Sequence, residues 1–344
     1  MARVLSVGAL VLWWALPLLA AEDVTTVKLP GAANAVTVGA GGKLLILHLP
    51  QQKQLAVVDV VLGKIVKYLP TAEAEIALAA GLNHLFVANP TARVIQRYNL
   101  KTFEKEAPVQ QPIEGTVAAL SIGAAATGPL LICAKGDSWG VKPVLVDPIK
   151  MTVLPGCDQL PSAAFQFIRV SADGRLFGWR NSTGGEGHDM TLLEIVDGKP
   201  KARPFRAGTS LLCPSPDGRY VYCGEGVFTA QFKKLFPSDQ LNPLNKPFLP
   251  AVSGNLFMQL QTAGNERFPG DPGAVVKPGR VSFFLPGQYR PFAELDQVEG
   301  GRRVLPFRHR PRSDHARCPN PLVSRGGAAR RSAHDQRSVA LVSV

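Results

Sequence analysis

A hydrophobic plan repeated at a spacing of 40 residues narrows the folds open to this chain more than any other feature. Residues 36–59, VTVGAGGKLLILHLPQQKQLAVVD, align without a gap on residues 76–99, IALAAGLNHLFVANPTARVIQRYN. In that alignment Val36 meets Ile76, Gly41 meets Gly81, Leu45-Ile46-Leu47 meets Leu85-Phe86-Val87, Pro50 meets Pro90, and Asp59 meets Asn99. Short apolar runs bounded by Gly, Pro, Asn or Asp, recurring every 40 to 45 residues or so, are how four-stranded propeller blades read. The expected fold is therefore all-β, a β-propeller.

The chain start carries its own expectation. Residues 24–30, VTTVKLP, fall one period before residues 64–70, KIVKYLP, which puts 24–29 in the register of an outermost strand with no inner strands before it. A propeller can close its ring by pairing such a strand with strands from the C-terminal end, leaving no open sheet edge. Taken in order, the first blade spans inner strands at 36–38, 43–49 and 55–61 with 64–69 outermost, and the second spans 76–107. The third begins at Val117, with strands at 130–134, 144–147 and 151–154. Asp-Gly hairpin turns mark the fourth and fifth, at Asp173-Gly174-Arg175 and Asp217-Gly218-Arg219. In the sixth, strands at 256–260, 281–285 and 289–295 flank a Gly- and Pro-rich insertion over 262–279. This gives six visible four-stranded blades of an expected seven, over residues 22–295.

The two ends differ from this body. Residues 1–21 hold one charge, Arg3, then an apolar run and the small pair Ala20-Ala21, the pattern of a secretory signal peptide. The alternative is a retained anchor, since the apolar run is long enough to span a bilayer. Cleavage implies an extracytoplasmic protein, periplasmic or secreted, with no stable membrane span thereafter. Residues 301–344 carry ten Arg, no Lys and two Asp, which places +8 of the net charge of +12 in this stretch. The body is nearly neutral, so no basic face tracks phosphates, and a nucleic-acid partner is not expected. Residues 296–344 read either as a disordered Arg-rich tail or as translation out of frame from near Gly300. The second is favoured, because the orphan first strand requires inner strands that this segment does not supply. The ring is accordingly expected to stay unclosed.

Candidate chemistry is sparse. Gly136-Asp137-Ser138-Trp139-Gly140 resembles the GDSGG segment of trypsin-like proteases, but Trp139 replaces a Gly and no upstream His segment supplies the base. Gly39-Ala40-Gly41-Gly42-Lys43 lacks the Ser or Thr and the following helix of a phosphate loop, and reads as a hairpin turn. Glu186, His188 and Asp189 could ligate a metal but read better as a solvated loop. His48 and His84 read as satisfied histidines on strands, and Asp59 and Asn99 as side chains that bond turn amides. No catalytic, cofactor-binding or metal-binding set is assigned, and no cofactor is expected. Of the five cysteines, Cys213 and Cys223 flank the Asp217-Gly218 turn nearly symmetrically and are expected to form a disulfide. A one-residue change of register would instead put them on opposite faces.

Through the two DGR turns and the segment DVVLGKI at 59–65, residues 24–295 resemble the YVTN and WD40-like propeller repeats of secreted bacterial proteins. The chain departs from true WD40 repeats, having no Trp-Asp dipeptide and a single Gly-His, at Gly187-His188. No WD40 partner surface carries over, and since no residue set rises to catalytic, the leading reading is a non-catalytic interaction module that binds an envelope protein or a glycan through loops on one face. An alternative is a propeller enzyme of lactonase or lyase type, whose charged residues would converge on the central channel.

Overall fold

The computed structural model describes residues 25–71, 73, 75–135, 141–163, 168–181, 189–206, 212–223, 226–235, 248–250, 257–261, 279–285, 291–298, 305–307 and 340–342. The signal segment at 1–21, the loop at 136–140 and most of the Arg-rich tail lie outside them.

The described chain is all-β, and its sheets follow one another in sequence. The first contains β1 (Ala35–Gly39), β2 (Leu44–Leu49), β3 (Gln54–Asp59) and β4 (Lys64–Pro70). The second contains β5 (Ala77–Ala80), β6 (His84–Asn89), β7 (Val94–Asn99) and β8 (Val109–Gln110). Next come β9 (Thr116–Ser121), β10 (Leu130–Lys135) and β11 (Val141–Val146), with the place of a fourth strand reduced to the single bridge Val146–Val153. The fourth sheet holds β12 (Arg169–Val170), β13 (Leu176–Arg180), β14 (Asp189–Val196) and β15 (Lys199–Arg206). The fifth holds β16 (Leu212–Pro214), β17 (Tyr220–Cys223) and β18 (Gly226–Thr229). The sixth holds β19 (Phe248–Pro250), β20 (Phe257–Gln261), β21 (Gly279–Phe284) and β22 (Ala293–Val298). In each, sequential strands pair antiparallel, so four of these six sheets have the expected four strands and two have three. In the tail, β23 (Leu305–Phe307) pairs antiparallel with β24 (Ala340–Val342).

The second strand of each sheet explains why the sheets stack. In Leu44–Leu49, LLILHL, every residue is buried, an unbroken run in place of the in-out alternation of a half-exposed strand. Such a strand needs apolar cover on both faces. Leu44, Ile46, Leu55 and Val57 pack against Leu85, Val87 and Tyr98 of the second sheet. Phe86 and Ile95 pack in turn against Leu130, Ile132 and Val146 of the third. Leu131 and Cys133 meet Phe177 and Trp179 of the fourth, and Leu192 of that sheet meets Val221 and Phe228 of the fifth. Tyr222 and Val227 then meet Phe257 and Phe284 of the sixth. Each fully buried Leu or Phe contributes about 1.5–3 kcal/mol.

The face of the first sheet turned away from the second is covered differently. Val27, Leu29 and Ala33 pack onto Leu45, Leu47, Val58 and Val60. This N-terminal strap runs from Gly63, where an added Cβ would lie 2.6 Å from Thr25 Cγ2, to Gln52, whose Nε2 donates to the Pro30 carbonyl at 3.2 Å. Among the described residues, 25–29 pair with no strand, and the segment is held there by side-chain burial on a sheet face.

The alignment of innermost strands needs correction. The β2–β3 and β6–β7 hairpins are offset by 40 residues as expected, Leu44↔Asp59 matching His84↔Asn99. The turn after β5 is shorter than that after β1, so the partner of Gly81 is Gly39 and not Gly41: Gly39 pairs with Leu44, and the Gly81 amide bonds the His84 carbonyl.

Candidate interaction face at the turn end

Antiparallel order puts the turns joining first to second strands, and third to fourth, at the same end of every sheet. At that end the inner turns of successive sheets bond one another directly. The Ala40 amide donates to the Gly81 carbonyl at 2.9 Å, Leu82 to Ala126 at 2.8 Å, Ala125 to Ala172 at 2.8 Å and Asp173 to Pro216 at 3.0 Å. The approach is close enough to exclude side chains: a Cβ on Gly81 would lie 2.7 Å from the Ala126 carbonyl oxygen, and one on Gly123 would lie 2.6 Å from those of Ser171 and Ala172. Five sheets are thereby joined at their inner turns.

The fourth and fifth sheets supply the most ordered of these turns. In Ser171-Ala172-Asp173-Gly174-Arg175, the buried Ser171 hydroxyl donates to Asp173 Oδ1 at 2.5 Å and accepts the Leu176 amide at 3.0 Å. The same carboxylate accepts the Arg175 amide at 3.1 Å and Arg175 Nε at 2.7 Å. Ser215-Pro216-Asp217-Gly218-Arg219 repeats the pattern, with Ser215 Oγ to Asp217 Oδ1 at 2.6 Å, the Tyr220 amide to Ser215 Oγ at 2.9 Å and the Arg219 amide to Asp217 Oδ1 at 3.1 Å. Gly174 and Gly218 take the positive φ that these turns require, 73° and 64°. Arg175 also reaches the Asp217 carbonyl at 3.3 Å, tying the two motifs together. Both guanidinium groups remain open to solvent, with side chains 67% and 72% exposed.

Outer turns at the same end consume their carboxylates internally. Asp59 Oδ1 accepts the Val61 and Leu62 amides at 2.9 and 3.1 Å, and Asn99 Oδ1 accepts those of Lys101 and Thr102 at 2.8 and 3.2 Å, the expected turn-bonding roles. Asp147, which sequence reasoning did not single out, does the same for Ile149 and Lys150, both at 2.8 Å. The Lys150 amide holds its carboxyl below the usual carboxylate range. Lys64, Lys101, Lys150 and Lys199 stay exposed beside these turns.

The remaining candidates are scattered. Residues 39–43 form a hairpin turn, as expected, with Lys43 Nζ 3.5 Å from Asp59 Oδ2. His48 is fully buried, its Nδ1 2.7 Å from Asn34 Oδ1. His84 lies 3.0 Å from Glu106, which also pairs with Arg97 at 3.0 Å. Asp189 opens β14, whereas Glu186 and His188 lie outside the described residues, as do 136–140. Among the described residues no three His, Cys, Asp or Glu side chains come together in a metal-binding group.

The expected disulfide between Cys213 and Cys223 is not formed. Cys213 stands opposite Tyr222 and Cys223 opposite Leu212, one residue out of register, so the two side chains leave the sheet on opposite faces. Cys213 packs with Tyr222 and Phe257, Cys223 with Leu176 and Leu212. Burial pushes the Cys213 thiol up to about 11, with Arg169 pulling the other way.

No family model matches the chain, and no curated protein matches it. Among solved structures, the β-propeller domain of Myceliophteria thermophila Cps50 (Swd1) is similar, with a TM-score of 0.50 and 12% identity over 81% of this chain and 91% of its own. KlAtg21, in a complex with the coiled coil of AgAtg16, gives a TM-score of 0.49 at 14% identity over 77% of this chain and 85% of that one. Hydrazine synthase of Kuenenia stuttgartiensis gives a TM-score of 0.40 at 13% identity over 75% of this chain, which spans 64% of the hydrazine synthase chain. At these identities the likeness concerns the fold, and the Swd1 comparison supports the β-propeller arrangement of the sheets. Among the described residues no helix is long and apolar enough to cross a membrane.

Proposed function

We propose that this protein is an exported β-propeller of the YVTN/WD40-like, secreted bacterial kind, acting as a non-catalytic interaction module for an envelope protein. In this reading the ring counts seven blades, and the strap at 25–29 sits where the outermost strand of the last blade belongs. The partner is engaged at the turn end. One observation carries the choice: Arg175 and Arg219, each pairing through Nε with the Asp of its own turn at 2.7 and 3.7 Å, keep side chains 67% and 72% exposed on successive, mutually bonded turns. A rigid pair of guanidinium groups suits bidentate recognition of carboxylates, so the partner offers an acidic site.

The test places a photo-crosslinking residue at position 219 and, in a separate variant, at position 93, which lies in a turn at the opposite end. In cells exporting the protein, the reading expects one discrete protein adduct from position 219 and none from position 93. No adduct from 219, or the same adducts from both, contradicts it.

A further inference from the structure

We propose that the outer turns of this same end seat the protein on an anionic lipid surface. The inference goes beyond the protein-partner reading and is tested separately, on vesicles that contain no protein. Its basis is where the exposed large apolar side chains fall. Leu62 (59% exposed) and Val61 (50%) tip the turn between the third and fourth strands of the first sheet. Ile149 (53%) tips the equivalent turn after β11, Val196 (40%) opens the turn between β14 and β15, and Phe292 (41%) precedes β22 in the sixth sheet. Single exposed apolar residues are ordinary on any surface. Recurrence at one structural position in four sheets is not, and the two opposite-end turns among the described residues, 50–53 and 90–93, read PQQK and PTAR.

Exposed lysines outnumber exposed carboxylates at the outer turns. Lys64, Lys150 and Lys199 lie within three residues of an apolar tip and are exposed. Asp59 is buried and Asp147 is engaged by turn amides, which leaves Glu104 and Asp197, the latter next to the Val196 tip, as exposed carboxylates of the outer turns, while Glu294, two residues after Phe292, pairs with Arg280 at 3.5 Å. Tips that project from separate sheets form no groove for an extended peptide. A soft interface can accept several at once, each apolar tip entering the headgroup boundary while the flanking lysines meet anionic headgroups. The inner turns, with Arg175 and Arg219, then face the same surface, where an envelope protein would be embedded.

The full chain is mixed with vesicles of phosphatidylcholine, with or without phosphatidylglycerol, and binding is read by co-sedimentation at low and high salt. Binding is expected on the phosphatidylglycerol vesicles only, weakened by salt. Lys64→Gln with Lys150→Gln should weaken it roughly 25-fold, about fivefold per lysine. Leu62→Ser with Ile149→Ser should abolish it with an unchanged melting temperature, because both side chains are more than half exposed. Lys53→Gln with Arg93→Gln should leave it intact. Absence of vesicle binding by the intact chain overturns the proposal, as does equal binding to neutral vesicles or indifference to the turn substitutions. Capture of an acidic peptide without vesicle binding also overturns it and assigns the outer turns to a protein.

Discussion

His48 shows how one buried side chain sets a response to pH. It is fully inside the first sheet and donates from Nδ1 to Asn34 Oδ1 at 2.7 Å. Burial lowers its pKa below the ordinary 6.5, the Glu73 carbonyl opposing in part. The folded chain therefore keeps this imidazole neutral while the unfolded chain protonates it, so the stability it permits is present above pH 6.5 and declines as pH falls toward the lowered folded value. Between about pH 7.5 and about pH 5 the melting temperature should fall further in the parent protein than in His48→Leu. Equal falls in the two would contradict this account. Asn34 closes the strap and its amide bonds the His48 carbonyl at 3.1 Å, so acid is expected to loosen the strap first.

At the scale of elements, the Ser-x-Asp-Gly-Arg turns hold the fold together at the end where the proposed partner binds. Asp217→Ala would leave the buried Ser215 hydroxyl without its acceptor and the Arg219 amide without its partner, at a cost of about 1–3 kcal/mol in urea unfolding. Glu114→Ala, at an exposed position, should change stability by less than about 0.5 kcal/mol. Comparable losses for both would remove the structural role given to the motif. Such turns were legible because the Asp-Gly pair and the flanking Ser and Arg act locally, and the second strands were legible because burial on both faces demands an unbroken apolar run. Lys199–Arg206, KPKARPFR, was not, since an outermost strand held by pairing with β14 needs no apolar alternation. Nor could the sequence settle the cysteines: the turn between them tolerates either register, and one residue decides which face each thiol takes. The turn-to-turn amide bonds escaped for a different reason, as backbone groups on segments more than 40 residues apart leave no local side-chain pattern.

For the whole molecule, two features limit what the body can do. The sheets are joined in series by apolar faces and by inner-turn amides, so the turn end behaves as one platform on which side chains keep fixed spacings. The strap over the first sheet covers the apolar face that Leu45 and Leu47 present on the side away from the second sheet. Among the described residues of the tail, Leu305–Phe307 pairs with Ala340–Val342, and neither pairs with the strap. The Arg-rich sequence between them lies outside the described residues. The platform, then, is the feature on which the functional proposal depends. Its most direct test is association of the protein with isolated envelope fractions, compared between Arg175→Gln with Arg219→Gln and Lys53→Gln with Arg93→Gln, each checked for an unchanged circular dichroism spectrum. Loss of association in the first pair and retention in the second is the predicted result; retention in the first pair, or equal loss in both, would contradict a binding face at the turn end.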